Sequence, residues 1–412
     1  MEPDPSQAES DADLFEPPRV VDGLTRPDGS PAVVMQVLPR LVAGGVERGT
    51  VDMAQALAAA GATALVASAG GPMEAHLKRF NAQHITHPLA SKNPFVIRRN
   101  IDRLAEIITR YKVDIVHARS RAPAWSAYWA AQKTGCHFIT TTHAPYGAAN
   151  ALKRRYNSVM TKGERVIAIS EFVADYLRRT YAVDPARIRI VHRGVDLLRF
   201  DPGKITSERV IKLAQQWRMP DGVPLILLPG RLTRWKGQAV LLEAVSRLKG
   251  LDLCCALLGS DLGREGYRQE LEKMITDKGL TGRAFILENC DDMPAAYKLA
   301  DVVVSASSEP EGFGRVVSES QAMGRLTIVS NHGGAKEQII DGRTALSFTP
   351  DDPDSLAKAI VRALSLSAED RDLMQSRAVQ HVRDNFSNEV MCRKTIGLYR
   401  ELLRADAYAP AS

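Results

Sequence analysis

Short apolar runs alternate with longer amphipathic segments along this chain, and the alternation is played through twice. In the first pass Ala32–Leu38, Ala62–Ala67, Asp114–His117, Phe138–Thr142, Arg165–Ile169 and Arg187–His192 have the length and β-branched content of strands. Between them Val46–Ala60, Pro94–Tyr111 and Glu171–Thr180 carry helical periodicity, the last with Ser170 as its N-cap. The second pass places strands at Leu225–Pro229, Cys254–Leu258, Ala284–Leu287, Asp301–Ser305 and Leu326–Ser330, with helices at Gln238–Leu248, Arg264–Lys278 and from Val316 to Met323. A strand followed by a helix, repeated, predicts an α/β fold of parallel, doubly wound sheets. A chain of 412 residues also exceeds what one hydrophobic core usually serves. The expectation is therefore two Rossmann-like domains, over residues 31–205 and 206–385. A helix in 386–412 has no strand after it and is expected to pack back toward the N-terminal domain.

Charge divides the chain further. Residues 1–30 hold 8 acids and 2 bases and are rich in Pro and Ser, the composition of a disordered acidic arm. Residues 31–200 hold 24 bases and 11 acids, whereas residues 201–412 are nearly balanced at 28 and 29. A basic excess of that size in one domain points to an anionic partner: a membrane surface, a phosphorylated glycolipid or a nucleic acid. The five cysteines lack metal-ligand spacing, and the adjacent Cys254 and Cys255 lie in an apolar run, as buried thiols of a reducing compartment do. No stretch approaches the roughly 18 apolar residues of a membrane span, and the N-terminus lacks a signal-peptide core. These features predict a cytoplasmic protein.

Two segments carry candidate chemistry. Glu311-Gly-Phe-Gly-Arg-Val-Val-Ser-Glu319 follows a buried strand and opens a helix. Gly312 and Gly314 allow backbone amides to approach a ligand, and the start of a helix favours a diphosphate. Pro229-Gly-Arg-Leu-Thr-Arg-Trp-Lys-Gly237 follows another strand, at the end where open α/β sheets bind ligands. Arg231 and Lys236 there can neutralise a leaving diphosphate without a metal. A capped surface helix and a charged loop are the plainer readings, and the glycine-rich strand–loop–helix setting weighs against them.

In this order and spacing the two segments closely resemble glycosyltransferase family 4, retaining enzymes of the two-Rossmann GT-B architecture. The likeness runs from about Gln36 to Leu403 and includes Leu41-Val-Ala-Gly-Gly-Val-Glu-Arg48, Ile169-Ser-Glu-Phe172, Gly194-Val-Asp196 and Gly333-Gly-Ala-Lys-Glu337. The resemblance implies two domains facing across a cleft. It implies donor phosphates held by Arg231 and Lys236, sugar hydroxyls by Glu311, and ribose by Glu319. Gly312, Phe313 and Gly314, with the amides near Val316 and Val317, would contact sugar and diphosphate. Gly44 and Gly45 would approach the phosphates from the N-terminal domain. His143, at the end of a strand, matches the family's cleft histidine and is expected to touch the sugar or stabilise the transition state. The family needs no bound metal or cofactor, and no Asp-x-Asp motif is positioned here to hold one. The chain departs from the pattern at His192-Arg193, where Pro-Asn is usual, and at Ala345, where glycine is common.

On the acceptor side, Arg119, Arg121 and Trp125 follow a strand end and suit phosphate or carboxylate and a stacked sugar. Arg98, Arg99 and Arg103 form one basic cluster, and Lys153, Arg154 and Arg155 with Lys162 another. Leu152, Tyr156 and Val159 fall at helical spacing, which predicts an apolar face beside the second cluster, suited to anionic lipid or a phosphorylated glycolipid. The His117-Ala-Arg-Ser-Arg-Ala-Pro-Ala-Trp125 tract most resembles bacterial enzymes of lipopolysaccharide core synthesis, often mannosyltransferases. The function expected is transfer of a hexose from a GDP- or UDP-linked donor to a glycolipid or polysaccharide, at the cytoplasmic face of the inner membrane. A nucleotide-sugar epimerase on the same fold and a non-catalytic nucleotide-sugar or nucleic-acid binding protein are the competing readings.

Overall fold

A computed structural model describes residues 23–406 except 43, 92, 148, 149, 262 and 264. The backbone divides into two units, residues 1–194 with 388–412, and residues 195–387. The boundary thus falls at Gly194–Val195, ahead of the seam expected near residue 205. In the first unit the elements run β1 (Val33–Val37), α1 (Gly45–Ala59), β2 (Thr63–Ser68), α2 (Glu74–Arg79), β3 (Gln83–Thr86), α3 (Pro94–Tyr111) and β4 (Ile115–Ala118). They continue as α4 (Arg121–Thr134), β5 (His137–Thr142), α5 (Ala151–Asn157), β6 (Arg165–Ala168), α6 (Glu171–Tyr181) and β7 (Ile188–Ile190). Among the described residues these strands form a seven-stranded sheet ordered β3-β2-β1-β4-β5-β6-β7, with every pair parallel.

The second unit runs α7 (Ser207–Trp217), β8 (Leu225–Pro229), α8 (Gln238–Ser246), β9 (Cys254–Leu258), α9 (Glu265–Asp277), β10 (Ala284–Leu287) and α10 (Met293–Leu299). It continues with β11 (Val302–Ser305), α11 (Arg315–Ala322), β12 (Leu326–Ser330), β13 (Leu346–Phe348), α12 (Pro353–Leu364) and α13 (Ala368–Asn385). Its described strands form a six-stranded parallel sheet, β10-β9-β8-β11-β12-β13. Helix α14 (Asn388–Asp406) belongs to the first unit, where Cys392, Ile396 and Tyr399 share a buried cluster with Val51, Ala54 and Leu57 of α1.

Local chemistry explains the element ends. Asn93 caps α3 by accepting from the Phe95 amide at 2.9 Å, with Pro94 at the first helical position, where its missing N–H costs nothing. Ser170 likewise accepts from the Val173 amide at 3.1 Å. The central strands β1, β8, β9 and β12 are buried along their whole length, as strands covered by helices on both faces must be.

Two expectations need correction. The acidic arm was expected to reach residue 30, yet Leu24 is fully buried, Thr25 bridges Pro31, and Arg26 pairs with Asp114 at 2.8 Å. Ordered packing therefore begins before Pro31, because Leu24 supplies apolar area and Arg26 a partner for a strand-end carboxylate. Residues 1–22 lie outside the described residues. The apolar face at Leu152, Tyr156 and Val159 does not form. Helix α5 ends at Asn157 and a 3-10 turn (Ser158–Thr161) follows, so Val159 is buried while Leu152 is 81% exposed. The change of helical pitch rotates the two residues onto different sides.

Candidate active site

In each sheet the strand order reverses direction once, between β1 and β4 in the first unit and between β8 and β11 in the second. Loops leaving the carboxyl ends of those strands border the crevice where open α/β sheets take ligands. The loop after β8 carries Arg231 and Lys236, and the loop after β11 carries Ser307 to Gly314.

In the second unit these loops meet. Lys236 Nζ lies 2.7 Å from Glu311 Oε1, and both side chains are nearly enclosed, at 14% and 11% exposure. Ser307 donates to the same carboxylate oxygen. Gly237 has φ +74°, and a Cβ on it would fall 1.9 Å from the Ala306 carbonyl oxygen. Glycine there lets the Lys236 turn sit directly on the chain leaving β11. Arg231 is exposed, and its carbonyl is held by the buried Gln238 side chain at 2.9 Å. The Glu311 loop is clamped from behind, since Gly334 donates to the Glu311 carbonyl at 2.8 Å. Gln338, fully buried, donates to the carbonyls of Phe313 and Gly314.

Helix α11 starts at Arg315, with Gly314 as a left-handed cap at φ 85°. The first turn of the helix therefore ends at the glycine loop and favours negative charge there, with the Val317 amide already donating to the Gly314 carbonyl at 3.1 Å. The Val317 side chain is buried in the core, and the Phe313 ring packs edge-on against Phe386, centroids 5.9 Å apart. Phe313 thus anchors the loop. Glu319 accepts from the buried Tyr297 hydroxyl at 2.9 Å and lies 3.7 Å from Arg315. Burial and the Glu319 carboxylate both push the Tyr297 phenol well above its usual range, which keeps it a donor.

In the first unit Gly44 and Gly45 stand at the start of α1, after β1. His143 follows β5 and is pushed well below its usual range, first by burial and then by Arg193, Arg119 and His117. It is a neutral imidazole at pH 7, so it hydrogen-bonds rather than carries charge. Arg193 donates to the Gly45 carbonyl and lies 3.3 Å from His143 Nδ1. Arg119 comes straight after β4 and lines the same cavity as His143. Arg121 and Trp125 are placed elsewhere. Arg121 donates to Asn157 Oδ1 at 3.0 Å and stacks 4.0 Å over the Tyr146 ring, and Trp125 donates to the Tyr156 carbonyl at 3.0 Å. Both are spent on seating the α5 segment, on which Lys153, Arg154 and Arg155 stand exposed. Arg154 also donates to the Thr180 carbonyl.

Sequence reasoning passed over Ser307, Tyr297, Gln338 and Arg193 as site residues. The first three hold site residues in place over sequence separations of 4 to 25 that no local pattern marks. Arg193 had a signal, as part of the departure at His192-Arg193.

Residues 43–199 match the family Glycosyltransferase Family 4, and residues 210–381 match Glycosyl transferases group 1. A glycosyltransferase from Rickettsia africae ESF-5 is 40% identical over 91% of this chain and 99% of its own, with a TM-score of 0.84. Anabaena Alr3699/HepE, solved with UDP and glucose, shares the fold at 20% identity and a TM-score of 0.76, over 91% of this chain and 100% of its own. A D-inositol 3-phosphate glycosyltransferase of Salinispora tropica is 27% identical over 313 residues, 70% of this chain and 64% of its own length. The chain thus spans less than two thirds of that relative. Two Rossmann-like units, the conjunction of Lys236 and Glu311, and these matches agree: the chain belongs to glycosyltransferase family 4.

Proposed function

We propose that the protein is a retaining, metal-independent hexosyltransferase that uses a GDP- or UDP-linked sugar and an anionic glycolipid or polysaccharide acceptor. The observation that carries this reading is the enclosed Lys236–Glu311 pair at 2.7 Å, set at the strand-order reversal beside the start of α11. Lys236 and Arg231 meet the charge of a departing diphosphate, and electrostatic stabilisation of that kind supplies much of the barrier reduction in group transfer. Glu311 orients sugar hydroxyls and Glu319 the ribose. The acceptor oxygen bonds to the anomeric carbon as the carbon–phosphate oxygen bond breaks on the same face. The acceptor's proton passes to the departing phosphate oxygen, and no cofactor is needed. His143, being neutral, contacts the sugar and takes no proton in this scheme.

The first unit, with its basic excess, holds the acceptor. Support comes from the relatives known as D-inositol 3-phosphate glycosyltransferases, whose name specifies a phosphorylated compound. An acceptor in envelope glycan or lipopolysaccharide core synthesis fits this charge and the resemblance of the His117–Trp125 tract. Leu152 at 81% exposure beside Lys153, Arg154 and Arg155 suits peripheral contact with the cytoplasmic face of a membrane. No helix among the described residues is long and apolar enough to cross one.

The test is a thermal-shift panel of GDP-mannose, UDP-glucose, UDP-galactose and UDP-N-acetylglucosamine, followed by incubation with and without lipopolysaccharide core acceptor. One nucleotide sugar should raise the melting temperature, by about 2.7 kcal/mol of stabilisation at 100 times Kd, and be consumed only with acceptor. Conversion of the donor without any acceptor would instead indicate an epimerase. Charge reversal of Lys153, Arg154 and Arg155 should lower sedimentation with anionic vesicles while leaving donor binding intact, and equal sedimentation removes the membrane element.

A further inference from the structure

Lys236 ends the 3-10 turn Arg234–Lys236, and its ammonium is bounded on more than one side. Glu311 Oε1 lies 2.7 Å from Nζ. The Trp235 ring is a second neighbour, with Nζ 4.5 Å from the ring centroid. The methylene stem runs along Gly230, whose built Cβ would meet Lys236 Cδ at 3.5 Å and Cγ at 3.8 Å. A lysine head is a point charge on a flexible stem, and it serves at one fixed place only where neighbours hold it there. A carboxylate attracts the ammonium from many directions, whereas an aromatic ring is favourable only over its face.

Trp235 is placed for that task rather than for the core. It is no part of the second unit's buried apolar cluster, and it borders an open cavity of about 510 Å³ with Tyr267 and Glu270. Its main chain is pinned, since the Ser308 amide donates to the Trp235 carbonyl at 2.8 Å. The preceding residue, Ser307, donates to Glu311. The ring and the carboxylate that flank Lys236 are thus tied to one short segment after β11. The other cation of the turn is drawn away: Arg234 pairs with Glu270 and lies 5.1 Å from the Tyr267 ring centroid. The Trp235 face is left to Lys236.

We propose that Trp235 is a positioning residue, whose ring holds the Lys236 ammonium beside Glu311 where a nucleoside diphosphate is bound and released. The proposal deepens the transfer reading and rests on it for the identity of that anion. Glu311 divides its oxygens between Lys236 and the sugar hydroxyls it orients, so the ion pair alone would let the ammonium shift when a donor enters. The ring has no such competing partner and keeps the ammonium in place. Removing the ring leaves the charge but not its position. The loss therefore falls on diphosphate affinity and on kcat together, and only while Lys236 is present.

Trp235→Leu, Trp235→Phe and a chain with ring-fluorinated tryptophan at position 235 are titrated with UDP and GDP by calorimetry, below the unfolding transition of each. Fluorination withdraws electron density from the ring face with little change of shape, so it separates the charge contact from packing and from any folding defect of Trp235→Leu. For the nucleotide that binds, Trp235→Leu and the fluorinated chain should lose about tenfold in affinity, and Trp235→Phe about threefold or less, because phenylalanine keeps a weaker ring face. In a Lys236→Met background Trp235→Leu should have almost no further effect, the mark of two coupled neighbours. Turnover at saturation with the matching nucleotide sugar should fall in the same order. A fluorinated chain that binds nucleotide and transfers sugar like the unaltered protein overturns the proposal and leaves the transfer reading standing. A Trp235→Leu loss of equal size with and without Lys236 also overturns it, since packing alone then accounts for the ring. Coupled nucleotide binding without sugar transfer from any donor keeps Trp235 in its role and defeats the transfer reading instead. Binding of neither nucleotide defeats both.

Discussion

Lys236→Ala lowers the rate of sugar transfer by about 100- to 1,000-fold, the usual cost of removing one group that meets developing charge in a transition state. The reason lies in where Lys236 stands. Its ammonium is 2.7 Å from Glu311 and its side chain is 14% exposed, so water can replace little of its field. The variant also leaves Glu311 nearly enclosed with Ser307 as its remaining side-chain partner, which should lower stability by about 1–3 kcal/mol. The two effects separate by measuring turnover with saturating donor below the melting transition. Undiminished turnover in folded Lys236→Ala protein removes the residue from the mechanism. Glu319→Ala should also abolish transfer, but through the donor Kd, since Glu319 is held by Tyr297 at 2.9 Å in the position assigned to ribose.

Gly237→Ala destabilises the chain by about 3 kcal/mol or more, a large effect for one methyl group and tied to a named backbone clash. Two costs add. A φ of +74° is strained for any residue with a Cβ, and that Cβ would stand 1.9 Å from the Ala306 oxygen and 2.9 Å from its Cβ. Neither neighbour is the loose end of a long side chain, so the loop after β8 must lift away from the loop after β11. Lys236 moves with it, and transfer should be lost even in the fraction that remains folded. Urea unfolding measures the first effect, with Gly250→Ala as the comparison. Gly250 has nothing within 4 Å of a built Cβ, so that variant should stay within about 0.5 kcal/mol of the original. A Gly237→Ala protein as stable as Gly250→Ala would mean that this close approach is not present in solution.

Much of the fold was legible from the chain itself. The buried runs Leu225–Pro229, Cys254–Leu258 and Leu326–Ser330 are strands with the expected bounds, because a short, mainly apolar run between turn signals has few other uses in an α/β protein. The edge strands were not legible. β3 (Gln83–Thr86) is half exposed, and β13 (Leu346–Phe348) is three residues long, so neither has a pattern strong enough to stand out. They form because a neighbouring strand offers a parallel partner, which is a tertiary fact.

The same division runs through the site. Glu311, Glu319, Arg231 and Lys236 were read from the sequence, since glycines, charges and strand ends are local marks and their spacing identifies the family. That Lys236 reaches Glu311, 75 residues away, follows from β8 and β11 being neighbours in the sheet. That Arg119 and Arg193 converge on Gly49 follows from the order of the first sheet and the seating of α1. That Trp125 and Arg121 are drawn to the α5 segment instead of standing free was equally hidden. Sequence alone determined which chemical groups are present and which end of a strand each leaves from. Tertiary structure decided which of them share an enclosed space, because burial and low dielectric arise only when distant segments exclude water together.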